Sequence, residues 1–323
     1  MKRIKSIIYL GAFSMLLTLV SCQPQKPSST GVFTYQFVEQ KDLSEAVAVK
    51  TAVKLLELDE KPEIIVNEDR VAYYSSPKDA SVYFEQDLKT GNISFSKSMQ
   101  RYYGTVRPKL PSPDEANELA MNFLATNRFI DGNRAELKLV HQGGLRASSV
   151  INGEKAGPVI DKMITLTYGR IIDEMPVVGP GSKFVVNVGN GGEIVSLVKR
   201  WRQVDLQSKT EAKQEEIISE EIALRELKNN IVTNYGEGAN YKVLSSQKAY
   251  YDGNGKTLQP VYVFETMVTL PDKSVNPFQY VSLVNILKSP AESVKIVIDK
   301  AAIRALKQQP DNGETPAPAD KTD

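Results

Sequence analysis

Apolar residues recur at helical spacing in three stretches of the chain, and each stretch is followed by alternating, strand-like text. Residues 43–58, "LSEAVAVKTAVKLLEL", put Ala46, Val49, Val53 and Leu56 on one stripe behind Ser44 as a cap. Residues 111–127, "PSPDEANELAMNFLATN", carry the clearest signal. Ser112 can cap, Pro113 suits the first helical position and Glu115 completes a capping box. The stripe there is Ala116, Leu119, Ala120, Phe123 and Leu124. Residues 218–231, "ISEEIALRELKNNI", align Leu224, Leu227 and Ile231. A start within "TEAKQEEII" would make Ser219 interior rather than a cap.

Period-two runs follow each helix: "VYFEQ" and "ISFSK" after the first, "MITLTYGRI" and "KFVVNVGNGGEIVSLVKRW" after the second, "LQPVYVFETMVTL" and "FQYVSLVNIL" after the third. Thr90-Gly91-Asn92, Gly189 to Gly192 and Asp252-Gly253-Asn254-Gly255 read as turns. Such short connections favour antiparallel pairing, since parallel strands need long crossovers. The expected fold class is therefore α+β, built from tandem helix-on-antiparallel-sheet units. The units would span residues 33–107, 108–207 and 208–304, with a polar, Pro-rich disordered tail at 305–323.

The amino terminus changes the picture by implying a compartment. "MKRIK" is a basic start, and "SIIYLGAFSMLLTLV" is shorter than the roughly 20 residues of a membrane span. "LVSC" ends on Cys22 and resembles the bacterial lipobox. That resemblance implies a signal peptide over 1–21, acylation (palmitate-type) of Cys22 and a tether over 22–32. More than one acyl chain gives stable anchoring. Gln23 rather than Asp after the cysteine favours the outer membrane where two membranes exist. The expected localisation is the bacterial cell envelope.

Charge and composition then remove chemistry. The chain carries 40 Lys and Arg against 39 Asp and Glu, so no excess points to nucleic acid. One cysteine rules out an internal disulfide or a Cys-based zinc site, and one histidine, His141, rules out HExxH and multi-His metal sites. No GxxxxGK[ST] or GxGxxG loop is present. Neither a cofactor nor a metal is expected.

"ITLTYGRIIDEMPVVGPGSKFVVNVGNGGEIVSLVKR" resembles the PepSY-like repeats of thermolysin-type propeptides and of YcdB/YcdC-type exported proteins. The matching residues are Tyr168, Asp173, Met175, Pro176, Val177, Gly179, Gly191, Gly192, Ile194 and Val195. Pro260, Tyr262 and Phe264 extend it to the third unit. Glu174 stands where the family usually has Gly, which puts a left-handed backbone there in question. The resemblance implies a non-catalytic module of the kind that inhibits or chaperones a protease.

Particular residues have competing readings. Tyr168, Pro176, Arg200, Trp201 and Arg202 form the candidate binding surface, since Trp and Arg are enriched at hot spots. The bland reading makes Trp201 a cover for the core rim with Arg stems packed nearby. "YDGNGK" starts like a Ca²⁺ loop, but the twelfth position from Asp252 is Val263, which cannot ligate. The expected function is that of a lipid-anchored envelope binding or scaffold protein, not an enzyme. Its partners would be the membrane, through Cys22, and an exported protein or peptide added to a sheet edge. The alternatives are an envelope hydrolase using carboxylates and a structural lipoprotein without a ligand.

Overall fold

The computed structural model describes residues 31–132, 134–148 and 158–294. In chain order its elements are β1 (Phe33–Phe37), α1 (Glu45–Leu56), β2 (Ile65–Val66), β3 (Val71–Ser75), β4 (Tyr83–Asp87) and β5 (Ile93–Ser96). Then come α2 (Pro113–Thr126), β6 (Leu137–Ala147), β7 (Ile160–Ile172), β8 (Met175–Val178), β9 (Lys183–Val188), β10 (Ile194–Arg200) and β11 (Val204–Glu211). The last are α3 (Glu220–Tyr235), β12 (Asn240–Tyr251), β13 (Thr257–Thr269) and β14 (Phe278–Asn285).

Two of the three described helices carry a side-chain cap, whereas Ser44 stands at the start of α1 without a side-chain cap bond. Ser112 Oγ accepts from Glu115 N at 3.3 Å while Glu115 Oε2 accepts from Ser112 N at 2.8 Å, closing the box behind Pro113. Those bonds from Ser112, backbone first, lower the Glu115 pKa. Ser219 does cap α3, accepting from Ile222 N, and residues 214–216 form a separate 3₁₀ turn. The buried faces differ from the stripes in detail. In α1 they are Ala48, Ala52, Leu55 and Leu56, while Ala46 is exposed. Two alanines one turn apart let that helix lie close on the sheet. In α2 the buried set is Ala116, Ala120 and Leu124, with Leu119 at the rim.

The tandem helix-on-sheet units expected from the sequence do not form. The strands join into one 14-stranded sheet in the order β11-β1-β13-β12-β8-β7-β9-β10-β5-β4-β3-β2, with β14 on β13 and β6 on β7. Strands distant in sequence interleave. β1 pairs with both β11 and β13, β5 pairs with β10, and β8 runs parallel to the end of β12. The physical reason lies in the edges. A meander leaves unpaired N–H and C=O groups along its outer strands, and pairing edge to edge satisfies them. Helix periodicity and turn chemistry carry no record of that choice. The structure is thus sheet-dominated, with α1 and α2 over one large core and α3 over a second.

Candidate functional site

The stretch from β7 to β12 builds a charged junction out of residues far apart in sequence. Asp173 and Glu174 join β7 to β8 with φ of 49° and 66°, a two-residue type I′ geometry. Glu174 therefore adopts the left-handed conformation without being glycine, at about 1–2 kcal/mol. Long-range bonds to the adjacent Asp173 tie the turn down. The Asp173 carboxylate accepts from Lys209 Nζ at 2.8 Å and from the Tyr35 hydroxyl, with Tyr250 at 3.4 Å. Burial works to raise the Asp173 pKa, but the Lys209 and Tyr35 hydrogen bonds outweigh it and hold the group below its usual value.

After β8 the "GPGS" turn wraps Asp252. Asp252 N donates to Val178 O at 2.9 Å, and Gly181 N donates back to Asp252 O at 3.2 Å. A Cβ on Gly181 would sit 2.1 Å from Asp252 Oδ2, so glycine is required by proximity. At Gly179, φ is 109° and a Cβ would meet Asp252 O at 2.6 Å. The fully buried Asp252 carboxylate accepts from Ser182 Oγ at 2.7 Å and from Arg202 at 2.8 Å. Arg170, also buried, donates to Ser182 Oγ at 3.1 Å and to Arg202 O at 2.8 Å. Its Nε forms an ion pair with Glu136 at 2.9 Å, and its guanidinium lies 3.9 Å from the Trp201 ring centroid. Burial draws the Arg170 pKa down to about 10 and pushes that of Glu136 up. The head of Lys199 donates to Gly91 O at 2.8 Å and to Trp201 O at 3.2 Å. Burial, then Arg200 and Arg170, bring its pKa down to about 8.

The five proposed surface residues separate in this arrangement. Trp201, 4% exposed, stacks on Phe184 at 4.9 Å and carries Arg170 on its ring, so it belongs to the core. Arg202 is committed to Asp252 and lies 3.8 Å over Phe37. Tyr168 is buried beneath α2, its hydroxyl donating to Asn117 Oδ1 at 2.8 Å, and burial pushes its pKa up to about 12. Pro176 sits in β8 opposite Ile171, and Arg200 donates to Ile93 O at 3.4 Å. A contiguous recognition patch is not assembled from these five, because two are core and one closes the junction. The network partners Arg170, Ser182, Asp252 and Glu136 escaped the sequence reading. One signal did exist: Arg170 shares the strand face of Tyr168 and Ile172, and a cation on a buried face demands a partner. Cys22, the residues before 31 and the tail at 305–323 lie outside the described residues.

Two other features are open to solvent. Among the described residues β6 pairs along one side only, with β7, and residues 141–146 are exposed. The register shifts between Leu139 and His141, leaving Val140 as a bulge that is 57% exposed. Gly143 and Gly144 carry no side chain of their own, but the His141 ring lies over Gly143, where a Cβ would sit 2.7 Å from Nε2; a Cβ on Gly144 would sit 2.2 Å from Met163 O. Two shallow cavities also open to solvent. One of about 450 Å³ lies between Lys109, Glu115, Glu118 and Gly191, and one of about 600 Å³ lies at the β12–β13 turn. Among the described residues no group of three or more His, Cys, Asp or Glu side chains is placed to hold a metal. None of the described helices is long and apolar enough to cross a membrane.

No family model matches the chain, and no curated protein matches it either. Solved structures resemble it distantly. An uncharacterized protein from Eubacterium rectale is 8% identical over 82% of this chain and 86% of that one, with a TM-score of 0.47. The Bacillus megaterium YpeB C-terminal domain is 17% identical over 77% of this chain and 95% of that one, with a TM-score of 0.35.

Proposed function

We propose that the chain is a lipid-anchored cell-envelope binding protein that takes an extended segment of an exported protein onto the open side of β6. The carrying observation is the strand itself. It is eleven residues long, paired on one side with β7, and exposed through its middle. Such a side presents N–H and C=O groups that a further strand completes. Gly143 and Gly144 add no side chain of their own, with the His141 ring lying over Gly143. The PepSY-like resemblance around Tyr168, Asp173, Pro176 and Gly179 supports a relationship to non-catalytic propeptide modules, now as strands within a continuous sheet. The lipobox-like "LVSC" supports the anchor on Cys22.

Successive residues of a strand alternate in which side their N–H faces. Gln142→Pro and Gly143→Pro therefore remove one outward donor and one donor to β7. The lipid-free chain and both variants are used to pull down partners from solubilised envelope, with circular dichroism as a folding control. One of the two folded variants is expected to lose at least tenfold of the captured partner. Capture by both variants at the level of the unaltered chain would sink the proposal.

A further inference from the structure

The β12–β13 turn holds a carboxylate from a later part of the same chain. Residues 252–256, "DGNGK", make the turn, with Asn254 at φ 68°. Glu292 Oε1 accepts from Thr257 N at 3.1 Å. The carboxylate lies so near the turn that a Cβ on Gly255 would be 1.8 Å from Oε1, and one on Gly253 would be 2.8 Å from Oε2. Only glycine leaves that space. Lys256 is exposed at the rim of the same cavity, where its charge suits an anion.

A second element reads main chain. Gln259 is fully buried in β13, yet its carboxamide points at residue 292. Its Nε2 donates to Glu292 O at 2.6 Å and its Oε1 accepts from Glu292 N at 3.0 Å. The second hydrogen on Nε2 goes to Asn285 Oδ1 at 2.7 Å, which fixes the amide's orientation. The pair of bonds imitates a β-bridge, so it accepts any residue in extended form. Specificity then falls to the turn, which accepts an acidic side chain. The flanking residues Ala291 and Ser293 are small, and a cavity of about 600 Å³ remains around the contact.

We propose that the Gly253–Thr257 turn with Gln259 beneath it is a binding site for an extended acidic peptide, and that residues 291–293 occupy it as a cis ligand. A partner's acidic segment competes for the same two contacts. The site is separate from β6 and stands whether or not that strand captures a partner.

The test uses the full chain and a fluorescent peptide with the sequence of residues 288–295, KSPAESVK. Glu292→Pro removes both the cis carboxylate and the cis N–H. That variant is expected to bind the peptide at least tenfold more tightly than the unaltered chain. A peptide with Gln in place of its Glu should bind at least tenfold more weakly. Amide exchange at Thr257 should speed up in Glu292→Pro and slow again on adding the peptide, which also reports that β13 remains folded. Equal binding by Glu292→Pro and the unaltered chain, equal binding of the Glu and Gln peptides, or no binding at all would each overturn the proposal.

Discussion

The contact of α2 with the sheet and the junction around Asp252 hold the molecule together by opposite means. Beneath α2, Ala116, Ala120 and Leu124 meet Leu166, Phe184 and Val186 in an apolar core. That contact is non-directional and tolerates exchange of one aliphatic residue for another of similar volume. The junction instead buries Asp252 and Arg170 and depends on Ser182, Arg202 and Glu136 for their partners. Desolvating such charges is costly, and the network stays stable only while every member is present. One region adds stability in increments. The other acts nearly all-or-none, and it joins the β7–β10 strands to β12.

Breaking one partner separates the two regimes most sharply. Asp252→Ala should cost about 3–5 kcal/mol in urea unfolding, because Arg202 is left without its carboxylate and Ser182, which links Asp252 to Arg170, loses its acceptor. Adding Arg202→Met should recover part of that loss. Under α2, Leu124→Ala should cost about 2–5 kcal/mol with no such recovery from a second truncation nearby. A second truncation that worsens the Asp252 variant would mean the junction behaves like ordinary core. At the next scale, a double-mutant cycle of Arg170→Met with Trp201→Leu should show coupling of about 0.5–2 kcal/mol from the stacked cation. Ser112→Ala should cost about 1 kcal/mol through loss of the cap.

The pH response sharpens the contrast with a smaller effect. Lys199 has a folded pKa of about 8, below its unfolded value. Between pH 8 and about 10.4 the unfolded state thus binds the extra proton, and stability should rise with pH through that window. Lys199→Met should flatten this rise. Tyr102 and Tyr168, with pKa values raised to about 12 chiefly by burial, act in the opposite sense. Above about pH 10 they bind protons more tightly folded than unfolded, so stability should fall there.

What the sequence reveals follows the same division. Ser112, Pro113 and Glu115 announce α2 because a capping box spans three residues and needs no tertiary partner. The turns at Gly91, Gly191 and Asn254 are likewise local, and positive φ appears at each. The Asp252 junction is not local. Ser182 and Asp252 are 70 residues apart, and Arg170 and Glu136 come from different elements. No periodicity encodes which edge strand meets which, so the continuous sheet was hidden behind three similar helix-plus-strand patterns. Trp201 misled for a related reason. Its neighbours Lys199, Arg200 and Arg202 suggest a wet surface, yet their heads turn to main-chain carbonyls and to Asp252. The sequence suggests strand addition to a sheet edge as a mode of recognition, but no residue in it singles out β6.

Capture of an extended segment by β6 is tested most directly with a photo-crosslinking amino acid. It is placed at Gln142 in the lipid-free chain, with the exposed α1 position Lys50 as control, and each protein is irradiated with solubilised envelope. A discrete adduct is expected from position 142, absent from position 50 and lost on adding whichever of the successive substitutions Gly143→Pro or Gly144→Pro removes the outward donor. No adduct from position 142, or the same adducts from both positions, would contradict it.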